Sequence, residues 1–245
     1  MYIDFVDKEN THTLLQYDLT LNKETILMKK ALDNYPSTAY SKNKQVVYFT
    51  ARTENDGVQL FKKDLRANAI TQLTKELSYV DFLQYDETKN NIYMRVLVQE
   101  SDQNFHMATY DLEHETLSVW NEQDKDTSVV EFDFNERTGQ LLVVTRSIKE
   151  ELDNTPSKIA EVDIRTQNLD IILEESKEYP RIRKPVYSLD RGGFYFIANG
   201  SGFGHSPVGV VKYYDLTSHE VFDIWTQKSG NAANIYIGNE NEVLF

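Results

Sequence analysis

The chain has 245 residues, 40% of them hydrophobic, with 26 Lys and Arg against 39 Asp and Glu and a formal net charge of −13. That length suits one large all-β domain, and the charge disfavours nucleic acid, because phosphate contact needs a basic surface. The complete lack of cysteine excludes disulfides, thiolate metal sites and cysteine nucleophiles, and no apolar run approaches the roughly 18 residues of a membrane-spanning helix.

The opening MYIDFVDKEN has no basic stretch and carries an acid at position 4, unlike a secretory leader. As it stands the sequence reads as cytoplasmic; a leader preceding it would make the protein secreted or periplasmic. Short runs rich in Val, Ile, Tyr, Phe and Thr, bounded by Asn, Asp, Gly and Ser clusters, then predict strands along the whole chain. MYIDF is followed by TLLQYDL (13–19) and ETILMKK (24–30), then QVVYFTAR (45–52), VQLFKKDL (58–65) and ITQLTKE (70–76). YVDFLQYD (79–86), NIYMRVLV (91–98), FHMATYDL (105–112) and TLSVWN (116–121) come next. After them run VVEFDFNE (129–136), QLLVVTR (140–146), KIAEVDI (158–164) and LDIILEE (169–175). The last are PVYSLD (185–190), GGFYFIAN (192–199), GVVKYYDL (209–216), EVFDIWT (220–226), NIYIGN (234–239) and EVLF (242–245). No segment keeps a 3.6-residue apolar period, so helix is expected at most as a turn in SIKEELD (147–153).

One short pattern phases these strands. It is Tyr17-Asp18-Leu19, Lys63-Asp64-Leu65, Tyr110-Asp111-Leu112, Val162-Asp163-Ile164 and Tyr214-Asp215-Leu216, with the aspartates at separations of 46, 47, 52 and 52 residues. Four-stranded units of that length in series predict a single-domain, all-β, five-bladed β-propeller of antiparallel blades spanning residues 1–245. In this reading NIYIGN supplies the first strand of the blade that MYIDF opens, and EVLF is left over; the alternative is a six-bladed ring or a fragment of one. Five equivalent aspartates fit turns, where the side chain accepts backbone N–H bonds, because a catalytic residue need appear only once.

The stretch from each last strand into the next unit resembles the repeats of TolB-like proteins and of the propellers that precede prolyl oligopeptidases. The residues that carry this are YPSTAYSKNKQVVYFT (35–50), YPRIRKPVYSLDRGGFYFIA (179–198) and, in degraded form, FLQYDETKNNIYM (82–94). The turn glycine of that repeat is kept by Gly139 and Gly193 and replaced at Asn43-Lys44 and Asn90-Asn91. The resemblance implies a propeller without a hydrolase domain, so peptidase activity does not carry over.

Arg52, Arg95 and Arg146 recur near the ends of second strands, and Arg181, Arg183 and Lys184 crowd the entry to a first strand. On an acidic body these residues form a candidate basic mouth for a carboxylate, a phosphate or an acidic peptide. His205, in the glycine-rich loop ANGSGFGHSP (198–207), is a further candidate ligand residue; that loop and TRSIKEELDNTPS (145–157) are the longest. Glu131 and Asp133 are two apart on one strand and share a face, with Asp81 comparable in the preceding unit. Paired carboxylates in a funnel suit a carbohydrate-active enzyme. No zinc, calcium or phosphate-loop motif is present, so no cofactor or metal is expected. The expected function is non-catalytic: a binding or scaffolding propeller that recognises a protein, a peptide or a small anionic ligand on its loop-rich face. The carbohydrate-active enzyme is the alternative, and a surface-exposed or periplasmic partner protein like TolB a third possibility.

Overall fold

The computed structural model describes residues 2–6, 12–18, 20–29, 37–41, 43–53, 57–149, 155–178, 181–189, 192–199, 209–226, 234–237 and 243–244. They form strands and turns, with no α-helix among the described residues. The contacts divide the chain into two compact units, one of residues 1–102 and 106–120, the other of residues 103–105 and 121–245.

The first unit holds three sheets. β1 (Tyr2–Val6), β2 (His12–Asp18) and β3 (Lys23–Lys29) form a three-stranded sheet in that order. β4 (Thr38–Ser41), β5 (Val46–Arg52), β6 (Val58–Asp64) and β7 (Ala69–Gln72) form a four-stranded one. β8 (Tyr79–Asp86), β9 (Asn91–Leu97), β10 (His106–Asp111) and β11 (Thr116–Val119) form another. The second unit repeats the arrangement with β12 (Thr127–Asn135), β13 (Gln140–Ser147), β14 (Ser157–Asp163) and β15 (Asn168–Glu174). Its next sheet is β16 (Ile182–Tyr187), β17 (Gly193–Asn199), β18 (Gly209–Asp215) and β19 (Val221–Thr226). β20 (Tyr236–Ile237) and β21 (Val243–Leu244) end the chain as a hairpin. All the pairings are antiparallel between chain neighbours, which makes every sheet an up-and-down meander.

Period-2 alternation makes these strands two-faced. In β5, Val46 and Tyr48 turn toward Leu83, Tyr85, Ile92 and Met94 of the next sheet, whereas Val47, Phe49 and Ala51 form a second cluster with Phe61. In the other unit Leu142 and Val144 meet Tyr187, Phe194, Phe196 and Tyr214 of the next sheet, and Tyr195, Ile197, Val211 and Tyr213 bury Ile235 on the opposite face. The Phe194 and Tyr214 rings stack with centroids 5.1 Å apart. Side chains this size, fully withdrawn from water, each contribute about 1.5–3 kcal/mol. Within each unit two four-stranded sheets therefore pack face to face, with the first strands β4 and β8 adjoining in one unit and β12 and β16 in the other.

Three expectations change. NIYIGN was to complete the sheet opened by MYIDF, but β20 instead pairs with β21, Tyr236 opposite Leu244 and Ile237 opposite Val243. The left-over EVLF is thereby its hairpin partner, and closing so short a loop costs far less chain entropy than joining segments more than two hundred residues apart. Four four-stranded sheets are described, beside one of three strands and one of two. β16 starts at Ile182 and ends at Tyr187, earlier than PVYSLD suggests; a bulge between Arg183 and Val186 admits Pro185 to the strand. Of the proposed helical turn, Ile148 and Lys149 form a bend after β13, and residues 150–153 lie outside the described residues.

Candidate ligand-binding site

The repeated aspartates are turn caps. Asp64 Oδ1 accepts the N–H groups of Arg66 and Ala67 at 2.8 and 2.9 Å, and Asp215 Oδ1 those of Thr217 and Ser218 at 2.8 and 2.9 Å. Asp111 does the same for Glu113 and His114, and Asp163 for Arg165 and Thr166. The Asp18 side chain lies outside the described residues. The turns after first strands use the same device through Asp86 and Asn135. Four residues beyond each cap the backbone is left-handed, at Asn68, Asn90, Glu115, Gly139, Gln167 and His219, and it is so again at Gly192 in the turn after Tyr187, all with φ between 51° and 71°. The left-handed residue is therefore Gly192 and not Gly193, and Gln45 (φ 55°) and not Asn43 or Lys44. Gly193 has a separate reason to lack a side chain, since a Cβ there would collide with the Tyr214 carbonyl and the Tyr213 ring.

The backbone donors hold the carboxyls of Asp64, Asp111, Asp163 and Asp215 below 3.8, with His114 assisting at Asp111. In the unfolded chain these groups return to the ordinary value near 3.9 and bind protons first. Their contribution to stability is thus present above about pH 4 and is lost as pH falls through the folded values. Urea melts are expected to show stability dropping from pH 5 to pH 3. The quadruple variant D64N/D111N/D163N/D215N, which keeps the Oδ1 acceptor, is expected to flatten that part of the profile.

At the other ends of the strands the sequence-predicted site residues divide between the two units. In the first unit Asp81 is 8% exposed and sits opposite Arg95. Arg95 Nε and Nη2 donate to Oδ1 and Oδ2 at 2.7 and 2.6 Å, a bidentate pair, and the guanidinium lies 4.6 Å from the Phe82 ring centroid. Arg52 is exposed at the end of β5. Burial, and then the charge of Asp81, push the Tyr79 hydroxyl up, while Arg95 and Arg52 pull it down, so all four groups lie within electrostatic reach.

In the second unit Glu131 is 5% exposed. Its Oε1 accepts the Lys184 backbone N–H at 2.5 Å and its Oε2 lies 3.2 Å from the Lys184 ammonium. Asp133 Oδ2 accepts the Tyr187 N–H at 2.9 Å. The two carboxylates do share a face, and that face clasps β16. Arg181 is exposed in the turn before β16, and Arg183 is half-buried within that strand. Arg146 is half-buried near the end of β13 and lines a cavity of about 360 Å³ with Thr127, Thr145, Thr155, Lys158 and Ile171. His205 and most of its loop lie outside the described residues.

The bond from Glu131 to Lys184 has a counterpart in the first unit, where Ser37 Oγ accepts the Phe82 N–H at 2.8 Å. Each of these four residues stands four positions before the residue that opens its turn: the caps Ser41, Asp86 and Asn135, and Ser188 in the equivalent place. Each donating residue, Phe82 (φ 53°) and Lys184 (φ 52°), is left-handed at a strand bulge. A non-glycine residue held there costs about 1–2 kcal/mol, which the bond from the preceding sheet helps offset. Sequence reasoning did not single out Ser37, nor Glu161, whose Oε1 accepts bonds from the Tyr187 hydroxyl at 3.1 Å and from Gln140 Nε2 at 2.6 Å. Among the described residues no group of three or more His, Asp or Glu has the geometry of a metal site, and no helix is long and apolar enough to cross a membrane.

No family model matches the chain. An uncharacterized protein of Bacillus subtilis (strain 168), YdjN, is 30% identical over 73 residues, a stretch that is 30% of this chain and 21% of that protein. Among solved structures, TolB from Acinetobacter baumannii superposes with a TM-score of 0.66 at 14% identity, over 94% of this chain and 52% of TolB. An oligogalacturonate lyase solved in complex with manganese gives a TM-score of 0.56 at 10% identity, over 98% of this chain and 76% of the lyase. The chain thus spans about half the length of that TolB and about a fifth of YdjN. At these identities the structural likeness speaks for the fold alone. Sheets of four antiparallel strands packed face to face, with this superposition, give the chain the TolB-like β-propeller repeat fold.

Proposed function

We propose that the protein is a binding propeller that takes an acidic protein segment, a peptide or a small anionic ligand at the loop ends of its sheets. The observation that carries this reading is the commitment of the three first-strand carboxylates. Asp81 is bound bidentately by Arg95, Glu131 holds Lys184, and Asp133 holds the Tyr187 N–H. A glycosidase pair needs one carboxyl to give a proton and the other to attack or activate water, whereas these three brace neighbouring strands. Arg52 and Arg181 stand exposed at loop ends, where a rigid scaffold carries its specificity.

The test is capture of an immobilised polyglutamate peptide. Arg52→Ala, Arg146→Ala, Arg181→Ala and Arg183→Ala are each expected to weaken capture, by about tenfold where a charge-assisted bond is lost, and raised salt is expected to weaken it further. Capture unchanged in all four variants overturns the reading. Arg95 and Lys184 are unsuitable for this test, because removing either strands a carboxylate. The second reading is a carbohydrate-active enzyme, supported by the structural likeness to the oligogalacturonate lyase. It predicts turnover of an acidic polysaccharide that D81N, E131Q or D133N abolishes.

A further inference from the structure

The turns after the first strands of consecutive sheets meet at one junction in each unit, and the two junctions are filled differently. In the first unit Lys44, the third residue after the cap Ser41, reaches across to the next turn. Its ammonium donates to Asn90 Oδ1 and lies 6.0 Å from the Tyr85 ring centroid, and the Tyr85 hydroxyl donates to the same oxygen at 3.1 Å. In the second unit the position of Lys44 is held by Thr138 and that of Asn90 by Gly192, while Tyr187 keeps the ring of Tyr85. Two short residues replace two long ones, and a cavity of about 390 Å³ opens, lined by Arg137, Thr138, Gln140, Tyr187, Leu189 and Gly192 among others. A Cβ on Gly192 would meet nothing within 4 Å.

Behind two of the lining side chains, Tyr187 and Gln140, stands a carboxylate. Glu161 accepts both the Tyr187 hydroxyl and Gln140 Nε2. A carboxylate only accepts, so the Gln140 amide turns its NH₂ toward Glu161. Burial first, and then the negative charges of Glu161 and Asp133, push the Tyr187 hydroxyl up, so the ring stands in a negative field. An aromatic face in such a field attracts an ammonium group. The cation already at the rim is Arg137, whose Nη1 donates to the Leu189 carbonyl at 2.6 Å.

We propose that this cavity is a socket for an alkylammonium group, from a small amine or from the lysine side chain of a partner, seated where Lys44 lies in the equivalent junction. The socket is at the turn ends of the strands and takes the opposite charge from the loop-end reading above, so it stands independently of it.

Thermal melts of the full chain test the proposal with three probes: n-butylammonium, Nα-acetyl-lysine methylamide and neutral n-butanol. At ten times its dissociation constant a bound ammonium probe is expected to raise the melting temperature by about 3–5 °C, and n-butanol to leave it unchanged. A response to n-butylammonium alone assigns the socket to small amines, and a response to both assigns it to lysine side chains as well. T138K supplies the chain's own ammonium and is expected to lose the response. R137Q, an exposed change that removes the rim cation, is expected to tighten n-butylammonium at least twofold and keeps the test open if T138K does not fold. No shift in the wild-type chain with either ammonium probe, an equal shift with n-butanol, or a full response in folded T138K overturns the proposal.

Discussion

Asp81→Ala is expected to lower the free energy of unfolding by about 3–5 kcal/mol, the range for breaking a buried ion pair from one side. The loss comes from what is left behind. The Arg95 guanidinium is enclosed by β8 and β9, its side chain only 16% exposed, with the Phe82 ring beneath it. Without Asp81 two of its N–H groups lose a charged acceptor in a site water barely reaches. Arg95→Met is expected to be milder on an Asp81→Ala background than on the wild type, because the methionine removes the stranded charge while keeping most of the packing over Phe82. A double-mutant cycle from urea melts measures this, and a coupling of more than about 1 kcal/mol is expected for directly bonded residues. A cost below about 1 kcal/mol for Asp81→Ala would place the pair among surface ion pairs and remove the reason for treating Asp81 as a brace.

Most of the strands were legible because they are short β-branched and aromatic runs set between turn residues. QVVYFTAR, NIYMRVLV and QLLVVTR announce β5, β9 and β13 to within about a residue at each end, since strands buried on both faces read as near-continuous apolar runs and the flanking Asn, Asp and Gly residues require turns. The turn aspartates were legible for the same local reason: their acceptors serve N–H groups two and three residues away. What stayed hidden is what one sheet does to the next. β4 has four residues and too little pattern to stand out, and in β16 the opening Ile182 is followed by two cations and a proline that only a bulge accommodates. Glu131 and Asp133 could be put on one face, but their targets are backbone N–H groups of β16, and a backbone donor leaves no mark on the side-chain sequence. The basic residues show the same limit. Spacing brings Arg52, Arg95 and Arg146 to corresponding strand ends, yet Arg95 differs from Arg52 because a carboxylate lies directly across the ladder from it.

Glu131→Ala is expected to cost about 2–4 kcal/mol, and the pattern of substitutions around it separates a brace from a catalyst. The alanine removes the acceptor of the Lys184 N–H, held at 2.5 Å, and the counter-charge of an ammonium that is 30% exposed. The first loss leaves a backbone donor unsatisfied at a left-handed bulge, about 1–3 kcal/mol; the second is smaller, because the ammonium keeps some water. Glu131→Gln retains a carbonyl oxygen for the N–H and gives up only the charge, so it is expected to lie much closer to the wild type. The first unit supplies the precedent: Ser37 satisfies the Phe82 N–H at 2.8 Å with no charge at all, so the bulge requires an acceptor and not a carboxylate. Hydrogen exchange at the Lys184 amide is the direct readout, fast in Glu131→Ala and protected in Glu131→Gln. A catalytic carboxyl would give the reverse order of effects: Glu131→Gln would abolish turnover of an acidic polysaccharide while leaving the Lys184 amide protected and the urea midpoint almost unmoved.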